Sequence, residues 1–324
     1  MTALTRRMLL AAGAASFGAA PFAHAQSSAW PTRPLRIIIP TAPGGSPDLV
    51  ARMLGNKLTE RLGQPVVVES IVQGVGLVGN QTVSRSAPDG STFAMLTGGF
   101  TTQAAVMRSL PYDPIQGFGF VTTVVAYPMF LLVAPNSPIT SFADFVERAK
   151  REQGKMNYAI IGSGSVYHLL GKWIENQSGI ELVGIPYRGS IAALTDMLGG
   201  RVSAMLDTAT SAISRIKSGQ VRALAVSSPE RYALMPDVPT MNETVPGIKL
   251  MSWLGLATAP QTPRPIIDKL NAEVRHALDQ PDVKKWLAET GVMAAPCTPE
   301  EFQQRVKSEI ALYSKIAEAN GIKT

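Results

Sequence analysis

Leu35-Arg36-Ile37-Ile38-Ile39-Pro40-Thr41-Ala42-Pro43-Gly44-Gly45-Ser46-Pro47-Asp48-Leu49-Val50 decides the fold class. Its first six residues form a short β-branched run of the kind that makes a buried strand, and the proline and paired glycines from Thr41 to Gly45 break it. An amphipathic helix is predicted next. Ser46 suits its N-cap, Pro47 its first helical position, and Leu49, Val50, Met53, Leu54 and Leu58 share one face. A second strand is predicted over Pro65–Glu69. Strand, glycine-rich loop, helix and strand in that order argue for a parallel α/β layer.

The same grammar returns further along the chain. Strand Met156–Ile161 runs through Gly162-Ser163-Gly164-Ser165 into a helix carrying Val166, Leu169, Leu170, Trp173 and Ile174. Strand Leu182–Pro186 runs through Tyr187-Arg188-Gly189-Ser190 into a helix carrying Leu194, Met197 and Leu198, and Ala204–Leu206 leads through Asp207-Thr208 into a third. These units predict a second α/β lobe. Two extended apolar segments, Phe120–Ala134 interrupted by Pro128 and Leu250–Ala257, separate the two sets and predict a two-strand hinge. From Pro263 the pattern is helical, with Ile266, Leu270, Val274 and Leu278 on one face and Phe302, Val306, Ile310 and Tyr313 on another; these helices are expected to complete the first lobe. The predicted division is 1–25 as a leader, 26–124 with 254–324 as lobe one, and 125–253 as lobe two.

Composition limits the function classes. Arg6 and Arg7 precede the apolar run Met8–Ala23, which ends at Ala23-His24-Ala25, the form of an export signal cleaved near Ala25. Thr5–Leu10 also resembles a twin-arginine signal, and the general secretory route stays open beside it. A membrane anchor is excluded because the run is shorter than the ~20 residues a bilayer needs. Without the leader the formal charge falls from +6 to +4, because Arg6 and Arg7 go and no acid goes with them. The basic residues are scattered with no aromatic interleaving, which gives no nucleic-acid surface. Cys297 is the single cysteine, so neither an intramolecular disulfide nor a thiolate metal cluster is available. Stability must come from core burial, and ~300 mature residues suit two lobes.

Motifs in order through nearly the whole mature chain resemble one family. They include Trp30-Pro31 with Leu35–Pro40, Pro43-Gly44-Gly45 with Asp48 and Ala51-Arg52, Pro88-Asp89-Gly90, Pro186-Tyr187-Arg188-Gly189 and Leu198-Gly199-Gly200-Arg201-Val202. Ile216–Gly219, Arg222–Val226, Pro236–Thr240 with Glu243, Trp253–Leu256 and Ala259-Pro260 follow. In these the chain resembles the tripartite tricarboxylate transporter substrate-binding proteins, also called the Bordetella uptake gene family. The resemblance implies a two-lobed periplasmic binding-protein fold, type II-like, with a two-strand hinge and a ligand cleft between the lobes. It implies a small carboxylate held by backbone N–H groups at strand ends, a membrane permease of the tripartite type as partner, a monomer, no cofactor and no catalytic residues. Two departures stand out: Thr41-Ala42 replaces an aromatic usual before Pro-Gly-Gly, and Ser70-Ile71-Val72-Gln73 replaces an Asn-Arg-Pro-Gly segment.

A carboxylate leaving water must recover its hydrogen bonds, and a helix start offers unpaired N–H donors and the positive end of the peptide dipole. The loop with Thr41, Gly44, Gly45 and Ser46 is therefore the first candidate grip, and Thr97-Gly98 the opposing one in the same lobe. From the second lobe Ser163 and Ser165 would meet the ligand, with His168 behind them, Arg188 as a cation, Tyr187 as a ring and hydroxyl, and Asp207 as an acceptor for a ligand amine or hydroxyl. Asp48, in the first turn of its helix, is read as structural. Three rival readings share these residues. Gly74-Val75-Gly76-Leu77-Val78-Gly79 spells a dinucleotide fingerprint, but no acid follows at about 20 residues. A serine hydrolase lacks the Gly-x-Ser-x-Gly elbow. A ligand-binding accessory of a membrane sensor kinase would use the same fold.

Overall fold

The structure, a computed structural model, describes residues 30–322 except positions 163 and 188. The export signal and its cleavage near Ala25 lie outside the described residues. The chain begins with β1 (Leu35–Ile39), α1 (Ser46–Leu62), β2 (Val66–Ser70), α2 (Leu77–Ser84), β3 (Thr92–Thr97), α3 (Gly98–Val106) and β4 (Gly119–Tyr127). It crosses into β5 (Met129–Val133), α4 (Phe142–Arg151), β6 (Asn157–Ile161), α5 (Val166–Ser178), β7 (Val183–Tyr187), α6 (Ser190–Leu198), β8 (Ala204–Thr208), α7 (Ala209–Lys217), β9 (Arg222–Val226) and α8 (Met241–Thr244). It returns through β10 (Ser252–Thr258) to α9 (Arg264–Asp279), α10 (Pro281–Thr290), β11 (Met293–Ala294) and α11 (Pro299–Ala319).

Two sheets result, ordered β11-β4-β10-β3-β1-β2 and β7-β6-β8-β5-β9. In the first, β1 pairs in parallel with β2 and β3, as the strand-loop-helix grammar requires, and β10 runs antiparallel between β3 and β4. In the second, β6 is parallel to β7 and β8, and β5 is antiparallel to β8 and β9. β5 and β10 are thus the strands that reverse the polarity of each sheet, because each brings the chain in from the other. The outward switch falls at Pro128. A proline has no N–H to give to a ladder, so the pairing breaks there and the strand changes sheet.

Ser227 joins the outward and returning crossings. Its N–H donates to Met129 O (2.8 Å), its Oγ accepts from Met129 N–H (2.9 Å) and donates to Leu250 O (2.7 Å), and its carbonyl accepts from Leu250 N–H (2.7 Å). The residue is fully buried, so no water can replace the hydroxyl. Ser227→Ala leaves a buried donor and a buried acceptor unpaired, and chemical denaturation should show a loss of about 2–4 kcal/mol. A loss under 0.5 kcal/mol would mean the crossing is not held by this hydroxyl.

Two local expectations need correction. Ser46 is not the N-cap of α1. Gly45 holds that position in extended conformation, Ser46 makes no capping hydrogen bond, and Asp48 reaches back from inside the first turn to accept Gly44 N–H at 2.9 Å. Nor does α11 serve the first lobe alone. Phe302 and Val306 pack against β4 and β10, where a Cβ on Gly255 would stand 2.4 Å from the Phe302 ring. With 21 residues the helix is about 31 Å long and outreaches that lobe. Its last turns put Tyr313, Ile316 and Ala317 into the core that also holds Tyr158, Leu169 and Leu170 of the second lobe.

Candidate ligand-binding cleft

A cleft of about 780 Å³ lies between the sheets, within the 300–1,000 Å³ typical of small-molecule sites. The loop after β1 contributes Thr41, the turn before α2 contributes Val75, and α3 lies lengthwise along the wall from Gly98 to Met107. The second lobe contributes Gly162, Gly164, Ser165, Val166 and Tyr167 at the start of α5 and Thr208 at the end of β8, and the crossing contributes Tyr127, Met129 and Ser252. These positions cluster at the carboxyl ends of β1, β3, β6 and β8, where open α/β sheets bind ligands.

The α5 end is arranged by its own small residues. Gly162 and Gly164 take φ of +80° and +71°, which lets the chain turn sharply from β6 into the helix. Ser165 caps α5, its Oγ accepting His168 N–H at 3.4 Å and donating to Ile161 O at 2.7 Å. The Gly164 N–H donates to His168 Nδ1 at 3.2 Å. Val166, whose N–H is one of the four that an α-helix leaves unpaired, borders the cleft. On α3 the corresponding cap is Thr97, whose hydroxyl accepts Gly99 N–H at 3.2 Å. At the crossing, Tyr127 and Ser252 are paired in the register of the β4–β10 ladder, and burial pushes the Tyr127 hydroxyl up.

The sequence-predicted residues separate into four groups. Thr41, Thr97, Gly98 and Ser165 line the cleft. The Thr41 hydroxyl is shielded and unpartnered, so the residue faces the cleft with other atoms, and its carbonyl accepts from Ser70 Oγ at 2.5 Å. The two sequence departures thus touch each other. Gly44, Gly45 and Ser46 line a smaller cavity of about 280 Å³ against Thr210, Ser211 and Trp286 of α7 and α10. Ser163 and Arg188 lie outside the described residues.

The remaining three are engaged elsewhere. Tyr187 donates its hydroxyl to Asp196 Oδ2 at 2.8 Å. Asp207 is 1% exposed; it accepts Thr208 N–H at 2.9 Å and pairs with Arg215 at 2.8 Å. Burial lifts its carboxyl to about 6 against the pull of Thr208 N–H and Arg215, which leaves it ionised at neutral pH. His168 is half-buried beneath the Ser165 cap, and burial, helped by the nearby Lys172 charge, holds its imidazole below its ordinary range. Since Ser165 Oγ donates to a carbonyl and His168 Nδ1 accepts a backbone N–H, the pair makes no nucleophile and base.

Val75, Gln103, Met107, Tyr127, Met129, Tyr167, Thr208 and Ser252 line the cleft and were not singled out in the sequence. Tyr127, Met129 and Ser252 fall inside the two extended segments, and Thr208 adjoins Asp207, so their neighbourhood was visible. Gly74–Gly79 does open a short helix after β2, as a nucleotide fingerprint would. Its glycines serve packing instead: a Cβ on Gly76 would stand 2.5 Å from Pro40 Cβ, and one on Gly79 would stand 3.0 Å from Ile71 O. Among the described residues that line the cleft there is no Asp, Glu, Lys, Arg or His. A charged ligand would therefore meet backbone N–H groups, hydroxyls and hydrocarbon there.

Comparison with known proteins gives consistent results. The family model described as tripartite tricarboxylate transporter family receptor matches residues 50–322. A protein from the tcbD-tcbE intergenic region of Pseudomonas sp. strain P51 is 32% identical over 96% of this chain and 93% of its own length. Protein BugT of Bordetella pertussis is 31% identical over 93% of each. Among solved structures, an R. palustris protein with adipate is 31% identical, with TM-score 0.80 over 91% of this chain and 99% of that one. MatC of Rhodopseudomonas palustris with bound malate is 30% identical, with TM-score 0.75 over 88% and 99%. Periplasmic binding protein BugD is 31% identical, with TM-score 0.77 over 91% and 99%. Among the described residues, no helix is long and apolar enough to cross a membrane.

Proposed function

We propose a function from an established premise: the chain belongs to the tripartite tricarboxylate transporter receptor family. It is a periplasmic solute-binding protein that takes a carboxylate-bearing molecule into the cleft between its lobes and delivers it to a membrane permease, without chemical change to the ligand. One observation carries the carboxylate assignment. The first turn of a 13-residue helix, α5, opens onto a cleft whose described lining holds no acidic side chain, so its N–H groups and dipole attract an anion that no carboxylate in that lining repels. The adipate and malate in the two related structures fit that chemistry. Export by the 1–25 signal, a monomeric state and a division of lobes near residues 125 and 253 belong to the same proposal. Thr97, Gly98 and Ser165 are its ligand-facing residues. A sensor-accessory role is not favoured, since the matched family is a transporter receptor family.

The proposal is tested by thermal shift with a panel of carboxylates and their matched amides, followed by solution scattering. An acid at 100 times its dissociation constant should add about 2.7 kcal/mol of stability. Closure of the lobes about the Pro128 crossing and its returning partner should lower the radius of gyration with that acid bound. If no carboxylate stabilises the protein, or the amides do so equally, the assignment is wrong. An unchanged scattering profile with saturating acid removes the closure and leaves the binding.

A further inference from the structure

The cleft wall is built mainly of hydrocarbon. Met107 ends α3, Ile161 ends β6 and Val166 begins α5, all half-buried on the cleft, with Phe100 and Met129 buried behind them. Such surface is usually covered, because apolar area in contact with water is unfavourable in proportion to its extent. Val75 adds a second, independent sign. It is 84% exposed at the cleft and sits at φ +57°, a left-handed conformation that a β-branched residue rarely adopts. The neighbouring backbone maintains it: Gly76 at φ +86° lies against Pro40, and Gln103 Nε2 donates to Val75 O at 2.8 Å. An unfavourable conformation that presents an apolar side chain to solvent at the mouth of a binding cleft is the pattern of a contact waiting for its partner.

Resting on the carboxylate-receptor reading above, we propose that the ligand is a carboxylate with a long apolar body, its charged end at the start of α5 and its hydrocarbon against Val75, Met107 and Ile161. A small hydroxylated acid would leave most of this surface wet and would set its hydroxyls against hydrocarbon. A body of six to eight carbons, straight or ending in a ring, would cover it.

Calorimetry on the intact mature protein tests this with butanoate, hexanoate, octanoate and 4-phenylbutanoate, with malate and citrate as hydroxylated comparators and octanamide as the neutral one. Affinity should rise about fourfold per methylene from butanoate to octanoate, and octanoate should bind more than tenfold tighter than malate or citrate. The ratio of octanoate to 4-phenylbutanoate tells a chain from a ring. Val75→Asn keeps a residue that tolerates the left-handed region, so folding stability should hold or rise, while octanoate binding falls about fivefold, a larger loss than that for the shorter butanoate. Equal affinities along the series, tighter malate or citrate, or an equal loss for both acids in Val75→Asn would overturn the apolar seat and leave the carboxylate reading standing. Octanamide binding as tightly as octanoate would overturn the carboxylate reading and leave the seat. Absence of binding by every acid would remove both.

Discussion

Val166→Pro is expected to weaken carboxylate binding by roughly 10- to 150-fold while the protein keeps its fold. Val166 is the first residue of α5, a position where proline is well tolerated because its missing N–H has no intrahelical partner. The preceding Ser165, at φ −74° and ψ 170°, already has the extended conformation that a following proline demands. The substitution therefore deletes one N–H donor at the cleft and keeps the apolar bulk. A hydrogen bond to an ionised group contributes about 1.5–3 kcal/mol, which gives the quoted range. Val166→Ala is the complementary variant, with the donor retained and two methyl groups lost, and should cost only a few-fold. Calorimetry on both, with circular dichroism as the folding control, decides the matter. Should the alanine variant lose as much as the proline variant, or the proline variant bind normally, the α5 start is not where the charge is held.

The architecture was legible because each of its repeats is local. Leu35–Ile39 and Met156–Ile161 are short runs in which strand propensity and a following glycine-rich turn agree, and each turn opens an amphipathic helix. The crossings were legible as apolar segments, with Pro128 marking the switch. What each crossing residue faces was not, because it depends on pairing between strands far apart in the chain: Tyr127 meets Ser252 only through the β4–β10 register. The N-cap of α1 was misplaced for a different reason. Gly45 and Ser46 are both acceptable caps, and the choice is made by Asp48 taking Gly44 N–H, a contact that spacing alone does not reveal. That same bond occupies the donor assigned to the ligand, and the loop faces α7 and α10 instead. Ser165 was found because a small-residue turn before an amphipathic helix has the same chemistry wherever it occurs. Gln103 and Met107 were not, since α3 borders the cleft along its length and its sequence carries no amphipathic signal that tells cleft from core, and Val75, in the turn before α2, has its exposure set by backbone conformation rather than by periodicity.

Arg215→Met is expected to lower folding stability by about 3–5 kcal/mol at neutral pH, through a charge left alone in the core. Asp207 is 1% exposed, and its ionised form is held by Arg215 at 2.8 Å and by Thr208 N–H at 2.9 Å. Because burial lifts its carboxyl to about 6, the native protein binds that proton more readily than the unfolded chain, whose value is about 3.8. The Asp207 contribution is thus fully present below about pH 4 and is lost as pH rises through 6. Removing Arg215 takes away a group that favours the ionised form, so the native value rises further and the variant's penalty grows with pH. The stability difference from wild type should be smaller at pH 5 than at pH 7.5, whereas loss of an ordinary surface ion pair, whose carboxylate is ionised at both values, costs the same at each. Asp207→Asn combined with Arg215→Met removes the charge itself and retains an acceptor for Thr208 N–H, so it should recover most of the loss. Thr208 is the next residue and lines the cleft, which ties this buried pair to the cleft-lining end of β8. Urea denaturation of the two variants at both pH values is the measurement. A single variant within 1 kcal/mol of wild type at pH 7.5, or one whose penalty deepens on acidification, would show that the Asp207 charge is not held by Arg215.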